Sequence, residues 1–580
     1  MNDTFIISDY SSFIKGLISK IGFSENNIIS FPTYKNESDW HDWTTQLCSN
    51  HTIDKLLIPL SIPSNEPFNL TGLRIALHIR LNFEITLEQR LIPIILLSDF
   101  SRDNILSNIS EVVDDEFYQD NNPENLLFTK GIYLTSFDEI EITRTIEKAK
   151  PCQSDEYHAK ILHKLKILNK AETGKHSIIN AWGCFKLAQV AGLRDEIFKL
   201  KPISTKLKTF YSKYLICLNN AYTLEKCMDL EPIKYSNKKI LLIDDQADEG
   251  WSELMTNIFK KAGDGFVCVN SEKYKNSETK LFHDFNSFIH ECRTHIGKDW
   301  DLIIIDLRLN PAEEDVDSEI INPTSLWGYK LIEEFLMENK GYQIIVSTAS
   351  NKIWNIDTAL KRGASAYYIK ESPEFNYTLK QTKEQYESLK TSINRCFKRS
   401  CLTEIYKTWD TTFNISSNPD EDFIKESDSF LKIAWNLIHQ EQLDFGYLSL
   451  FQIIELFARR NYKYNYRNNT QYIIYENREY PVITTNDDEE CWKLTFVEDK
   501  VQGDYFQSGN EIKKRNEFKS TALFKISCLL KFQFDEDDDQ LKVFGFLNKL
   551  RNKIAHEGPS CQVQTQDIKL VLDIIKKLRS

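Results

Sequence analysis

At 580 residues the chain is long enough for three or four domains, and its 41% apolar and 12% aromatic content supplies real cores. A net charge of −13 excludes nucleic-acid binding by the surface as a whole, so any such contact needs a local basic patch. No apolar run of about 18 residues is present, which excludes a transmembrane helix. The first residues, Met1 to Thr4, lack the basic-then-apolar order of a signal peptide. The 12 cysteines include no Cys-x-x-Cys pair, which points to reduced thiols in a cytoplasmic protein and away from a zinc site.

Residues 1–148 carry short apolar runs with helical spacing between them: Phe5–Ser8, Leu56–Pro59, Pro93–Ser98 and Gly131–Thr135. Such runs predict parallel strands joined by helices. Each parallels a run in the middle of the chain, so residues 1–148 are expected to be a divergent repeat of one α/β unit. At the positions where the central copy ends strands in an acid and a lysine, this copy has Pro59 and Thr135. The acid and ammonium chemistry is gone, and a docking or sensing role is expected. Residues 149–236 read as a helical connector, with apolar spacing over Tyr157–Leu168, His176–Val190, Leu207–Leu218 and Leu224–Leu230. Trp182 there reads as a core or interface group.

The central stretch, residues 237–375, is the most informative. Four β-branched-rich runs end in chemistry: Ile240–Ile243 in Asp244 and Asp245, Leu302–Ile305 in Asp306, Ile344–Ser347 in Thr348, and Tyr367–Ile369 in Lys370. In open α/β sheets ligands gather at the carboxyl ends of strands. Three carboxylates form a hard-oxygen cage suited to Mg²⁺. A lysine and a hydroxyl suit the remaining oxygens of a phosphoryl group. The set fits phosphoryl transfer to a carboxylate.

These residues resemble the receiver domain of two-component response regulators, which has a flavodoxin-like doubly wound fold. The resemblance implies that Asp306 is the phosphoacceptor. It implies that Asp244, Asp245, Asp306 and the carbonyl of Arg308 hold Mg²⁺. Thr348, Lys370 and Tyr367 would be the switch hydroxyl, lysine and aromatic, and a histidine kinase or other phosphodonor the partner. Phosphorylation would then shift a conformational population. Two departures stand out: Glu371 occupies the place of the family's proline, and an acidic loop, Asn310–Leu326, lengthens the path from Asp306 to Gly328.

Residues 376–420 read as a helical linker, and 421–580 as a helical bundle with a small β insertion near 461–510. Late in the bundle, Arg551, Asn552 and His556 share a helix, with Asn552 and His556 on one face. Histidine moves protons near neutral pH and arginine holds phosphate charge. This spacing resembles the Arg-x₄₋₆-His motif of the HEPN superfamily. That resemblance implies a homodimer with a composite site that cleaves RNA without a metal. Arg459, Arg460, Lys463 and Arg467 interleave with tyrosines, and Lys513, Lys514 and Arg515 follow; such segments suit single-stranded RNA.

The fold expected is multidomain α/β plus all-α. The function expected is a phosphorylation-responsive regulator with a HEPN-like endoribonuclease, in stress response or phage defence. The alternative is a non-enzymatic adaptor that uses receivers for docking and the bundle for dimerisation or RNA binding. The acidic charge disfavours DNA.

Overall fold

The computed structural model describes the chain apart from residues 1–2, 10–11, 32–36, 63–69, 102, 106–130, most of 155–174, 219–236, 260–264, 277–280, 311–325, 350–352, 376, 468–469, 476–477, 485–494, 498–504, 508–521 and 559–562. Two compact units are present. Met1–Cys292, Ile304–Lys330 and Ile345–Ile393 form the first; Arg293–Ile303, Leu331–Ile344 and Asn394–Ser580 form the second.

The first unit holds the two α/β copies. Strands β1 (Thr4–Ser8), β2 (Ile28–Ser30), β3 (Lys55–Pro59), β4 (Ile94–Leu97) and β5 (Ile132–Thr135) build a sheet in the order β2-β1-β3-β4-β5. All its pairs are parallel. β1, β3 and β4 are buried along nearly their whole length, which is why they read as continuous Ile/Leu runs without alternation. Ile6, Leu57 and Ile95 pack against Ile14, Leu17, Ile18 and Ile142 from the flanking helices. The central copy has β6 (Ile240–Ile243), β7 (Phe266–Cys268), β8 (Leu302–Asp306), β9 (Ile344–Thr348) and β10 (Ala366–Ile369). Its order, β7-β6-β8-β9-β10, is the same 2-1-3-4-5 topology of flavodoxin-like sheets.

The likeness of the copies reaches individual contacts. A Cβ on Gly328 would lie 2.4 Å from the carbonyl oxygen of Asp306, and one on Gly72 would lie 2.0 Å from that of Pro59. In both copies a helix starts hard against the end of the middle strand, and only glycine permits that approach.

Polar groups inside the N-terminal copy are closely partnered. Buried Arg80 donates to the carbonyls of Ile92 (2.8 Å) and Gly131 (3.3 Å) and to that of Arg90, tying three loops at one edge. His41 is only half partnered, and the Nε atoms of Arg80 and Arg90 also have no partner; of the three, the imidazole of His41 is the group that titrates in the acid range. Its Nε2 lies 2.7 Å from Glu84, while Nδ1 has no partner. The neutral tautomer fits, with Nε2–H donating and Nδ1 left as a lone pair. Burial outweighs Glu84 and lowers this imidazole from 6.5 to about 4. The unfolded chain therefore takes up the proton first between those values, and stability falls as pH drops through that window. Moving from pH 7 to pH 5 should cost about 2 kcal/mol through His41 alone. Urea unfolding at both pH values tests this: His41→Gln should flatten the dependence, and an unchanged slope would rule it out.

Among the described residues, the connector helices that follow are Lys175–Val190, Arg194–Phe198, Lys201–Leu207 and Phe210–Leu218. The helix expected over Leu207–Leu218 begins later, because the Thr209 hydroxyl accepts from the Ser212 amide (3.4 Å) and caps a fresh start. Lys213 of that helix is buried in the N-terminal copy, 2.5 Å from His78 Nδ1. The expected helices Tyr157–Leu168 and Leu224–Leu230 lie largely outside the described residues, as does most of the acidic loop.

The second unit is a helical bundle. Its helices are Leu402–Phe413, Glu421–His439, Leu443–Asn461, Ala522–Gln533, Asp538–Glu557 and Thr565–Arg579. Its core includes Leu402, Ile405, Tyr406 and Trp409, so the bundle begins inside the stretch expected to be linker. The β insertion comprises a three-stranded antiparallel sheet of β11 (Tyr464–Arg467), β12 (Thr470–Tyr475) and β13 (Arg478–Thr484) and a two-stranded antiparallel sheet of β14 (Thr495–Val497) and β15 (Tyr505–Gln507). Among the described residues no helix is long and apolar enough to cross a membrane, and the described cysteines carry no disulfide.

Candidate functional site

The carboxyl ends of β6, β8, β9 and β10 bring the predicted chemistry together. Asp244, Asp245 and Asp306 are buried, and their oxygens lie within 4.8 Å of one another, close enough to hold a metal ion. Asp244 accepts from the Gln246 amide (2.8 Å), and Asp306 from the Arg308 amide (3.1 Å). Lys370 follows β10, and its own amide donates to the Thr348 carbonyl (2.8 Å). Its Nζ reaches Asp244 at 2.9 Å and Asp306 at 2.6 Å. The Trp251 ring lies 4.9 Å from the same ammonium. Thr348 is buried beside this group, whereas Tyr367 points outward and is 42% exposed.

The electrostatics follow from three acids in one dry place. Burial, then Asp244 and Asp306, push the Asp245 carboxyl well above the usual carboxylate range. Burial and Asp244 also raise Asp306, against the pull of Lys370. Burial works against the charge on Lys370, but Asp244 and Asp306 outweigh it and hold the ammonium above its ordinary range.

Several participants were not foreseen. The Ser271 hydroxyl lies within hydrogen-bond reach of the Asp245 carbonyl (2.7 Å) and Asp248 (3.0 Å), with its one O–H shared between them, and Lys275 donates to the same two groups, fixing the loop after β6. Asn180 of the connector accepts a hydrogen bond from Lys370 at 2.7 Å. Glu371 is buried; Thr382 donates to it at 2.7 Å and Trp182 Nε1 at 3.4 Å, and Lys186 lies 3.9 Å away. A signal for this was present in the sequence. The segment Ile178–Val190 is apolar on almost every side, which marks a helix buried all round, and Asn180 and Lys186 within it then need polar partners.

In the second unit, Arg551 and Asn552 meet: Arg551 Nη1 donates to Asn552 Oδ1 at 2.8 Å. Arg551 is also ion-paired to Glu455 of the helix Leu443–Asn461, a partner not foreseen. His556 sits exposed in the last turn of the same helix. Of the basic residues proposed for RNA, Arg460 is held by Asp420 (3.1 Å) and Glu426 (2.6 Å), and Arg467 by Glu479 (2.6 Å). Arg459 and Lys463 are exposed, and Lys513, Lys514 and Arg515 lie outside the described residues.

Comparison with known proteins bears on the first unit. Residues 9–135 match the family model of the inactive receiver domain. That match falls on the copy in which Pro59 and Thr135 replace the acid and the lysine. Among solved structures, a protein described as a two-component system response regulator/GGDEF domain protein is similar at 13% identity and a TM-score of 0.15, covering 67% of this chain and 98% of that one. No curated protein matches. The chain thus contains a receiver-type domain, which suggests a response-regulator-type role in signalling.

Proposed function

We propose that the central α/β domain accepts a phosphoryl group on Asp306 and that the chain is a phosphorylation-responsive regulator. The observation that carries this reading is the placement of Lys370 Nζ between Asp244 and Asp306 in a buried triad of acids. An oxygen of Asp306 would attack the phosphorus of a phosphohistidine or acyl phosphate. The new P–O bond forms as the donor's P–N or P–O bond breaks, and the donor leaves with the electron pair. Lys370 would balance the charge of the arriving oxygens. Three carboxylates against one ammonium leave two negative charges to neutralise, and the donors are all hard oxygens, so the set fits Mg²⁺ held by Asp244, Asp245, Asp306 and the Arg308 carbonyl. Bound there, the ion would supply charge neutralisation.

The output we assign to the second unit is RNA cleavage by a homodimer of HEPN-like bundles. Its support is the shared helix that carries half-exposed Arg551 and Asn552 and exposed His556. Glu455 would hold Arg551 until a substrate phosphate displaces it. One experiment covers both parts. The full chain is incubated with Mg²⁺ and acetyl phosphate, and its intact mass is read; total RNA is then added. One phosphoryl group should be gained by the native chain and none by Asp306→Asn. RNA should be cut by the native chain and spared by Arg551→Ala and His556→Ala. Gain of phosphate with intact RNA would leave the adaptor reading, and no gain would overturn the acceptor reading.

A further inference from the structure

The ammonium of Lys370 has three N–H donors. In this structure Asp244, Asp306 and Asn180 take one each, at 2.9, 2.6 and 2.7 Å. A phosphoryl group arriving on Asp306 brings new anionic oxygens to an ammonium with no donor left to give. Existing bonds must yield. Bonds to ionised acceptors are about twice as strong as those to neutral ones; the Asn180 amide is neutral and the Asp306 oxygens become so in the acyl phosphate, so the bonds to these two are the ones that give way to the phosphoryl oxygens.

Asn180 belongs to the connector helix Lys175–Val190, and that helix is fastened to the same edge of the receiver. A Cβ on Gly183 would lie 3.1 Å from the Glu371 carbonyl oxygen and 3.2 Å from Lys370 Cβ, so the helix backbone rests directly on the end of β10. Trp182 and Lys186 reach the buried Glu371 carboxylate. The connector helix Lys201–Leu207 touches the other side of the site: Lys206 is ion-paired to Glu249, and Ile203 packs against Gly250. Glu371 replaces a residue type that has no side chain able to make such bonds. Its burial among Trp182, Thr382 and Lys186 gives that departure a use, as the latch for the helix.

We propose that the connector helix is a shutter over the phosphoacceptor, latched by Asn180 to Lys370 and by Lys186 and Trp182 to Glu371, and that phosphorylation of Asp306 releases it. The proposal rests on the acceptor reading above. With the helix seated, Asp306 is only 4% exposed, and a phosphodonor reaches it in the fraction of molecules in which the helix has lifted. Once Asp306 is phosphorylated, Lys370 turns from Asn180 to the phosphoryl oxygens and the helix loses its polar anchor at that end. The connector joins the receiver to the N-terminal copy, where Lys213 is buried against His78, so release frees a segment held at both ends. This is a two-state element biased by a local charge.

The test uses the full chain with Mg²⁺ and acetyl phosphate. Two quantities are read: the initial rate of phosphoryl incorporation by intact mass, and hydrogen–deuterium exchange over residues 175–190. Lys186→Glu sets two carboxylates against each other at the latch. It should raise the rate about tenfold, the gain expected when a closed state holding about nine-tenths of the molecules is removed, and should deprotect the helix. Combining Lys186→Glu with Glu371→Lys restores the pair with its charges exchanged and should return both readings toward those of the native chain. Asn180→Leu, which places no charge in the core, should move both in the same direction as Lys186→Glu. Phosphorylation of the native chain should itself deprotect residues 175–190. Equal incorporation rates in the native chain, Lys186→Glu and Asn180→Leu would overturn the shutter and leave Asp306 as the acceptor. Deprotected helices without incorporation in any variant would overturn the acceptor reading, and the shutter with it.

Discussion

Lys370→Met should lower the stability of the first unit at pH 7 by about 3–5 kcal/mol, the cost of breaking a buried ion pair on one side. The lysine is wholly enclosed, and Asp244 and Asp306 both depend on it. Its raised folded pKa means its contribution is fully present below the unfolded value of 10.5 and is lost only as pH climbs through the higher folded value. The lysine itself therefore adds no slope between pH 5 and pH 9. The slope comes from the acids. Asp245 and Asp306 already titrate above their ordinary range, so their share of stability is lost as pH rises through their folded values. Without the ammonium those carboxyls move further up, and the loss in Lys370→Met should be larger at pH 8 than at pH 5.5. Urea unfolding at the two pH values decides it. An equal loss at both would mean that the acids are not the cause. The same reasoning makes Asp245→Asn stabilising, because it removes a charge that burial and two neighbouring acids disfavour. A site that gains stability when one of its acids is neutralised is built for a ligand and not for the fold.

The sheet, its repeat and the five-group site were legible because each is written locally. A strand end followed by an acid is visible in a few residues, and the topology of doubly wound sheets places such ends at one edge. Pro59 and Thr135 could be recognised as replacements because the runs before them keep their order. Periodicity says which side chains are buried but not which neighbours they meet. Asn180 and Lys370 are 190 residues apart, and Arg551 and Glu455 are 96 apart. Nothing in either segment names the other. Glu371 shows the same limit. In the sequence it was a mismatch with a family pattern; in the structure it is a carboxylate raised by burial and steadied by Lys186, Thr382 and Trp182. The bundle's early start at Leu402 was hidden for a different reason, since an amphipathic helix looks alike whether it links domains or joins a core.

Truncation of the last two residues should be among the most damaging changes to the second unit. Arg579 is next to the end of the chain and would be read as a solvated tail residue, yet it is fully buried. Its Nε donates to the carbonyls of Thr412 (3.1 Å) and Ile415 (2.9 Å), and its Nη2 to that of Phe413 (2.9 Å) and to Asp428 (2.8 Å). Nη1 reaches Ser427 and the Ile424 carbonyl. The last carbonyls of the helix Leu402–Phe413 and the first turns of Glu421–His439 are thus satisfied by one guanidinium, whose planar fork suits several acceptors at once. Removing it strands those acceptors in the core at a cost of about 1–3 kcal/mol for each one left dry. Arg579→Met keeps the length and apolar bulk but none of the donors, and should cost the bundle about 3–5 kcal/mol. Arg579→Lys should recover only part, since one ammonium cannot span acceptors on both sides of the fork. Thermal unfolding of the three variants against the native chain gives the order. A Met variant as stable as the native chain would show that water replaces the guanidinium, and the clamp would then have no energetic role. Because this helix end closes the same core that carries the helix Asp538–Glu557, the loss should also loosen the protection of the segment bearing Arg551 and His556 in hydrogen exchange.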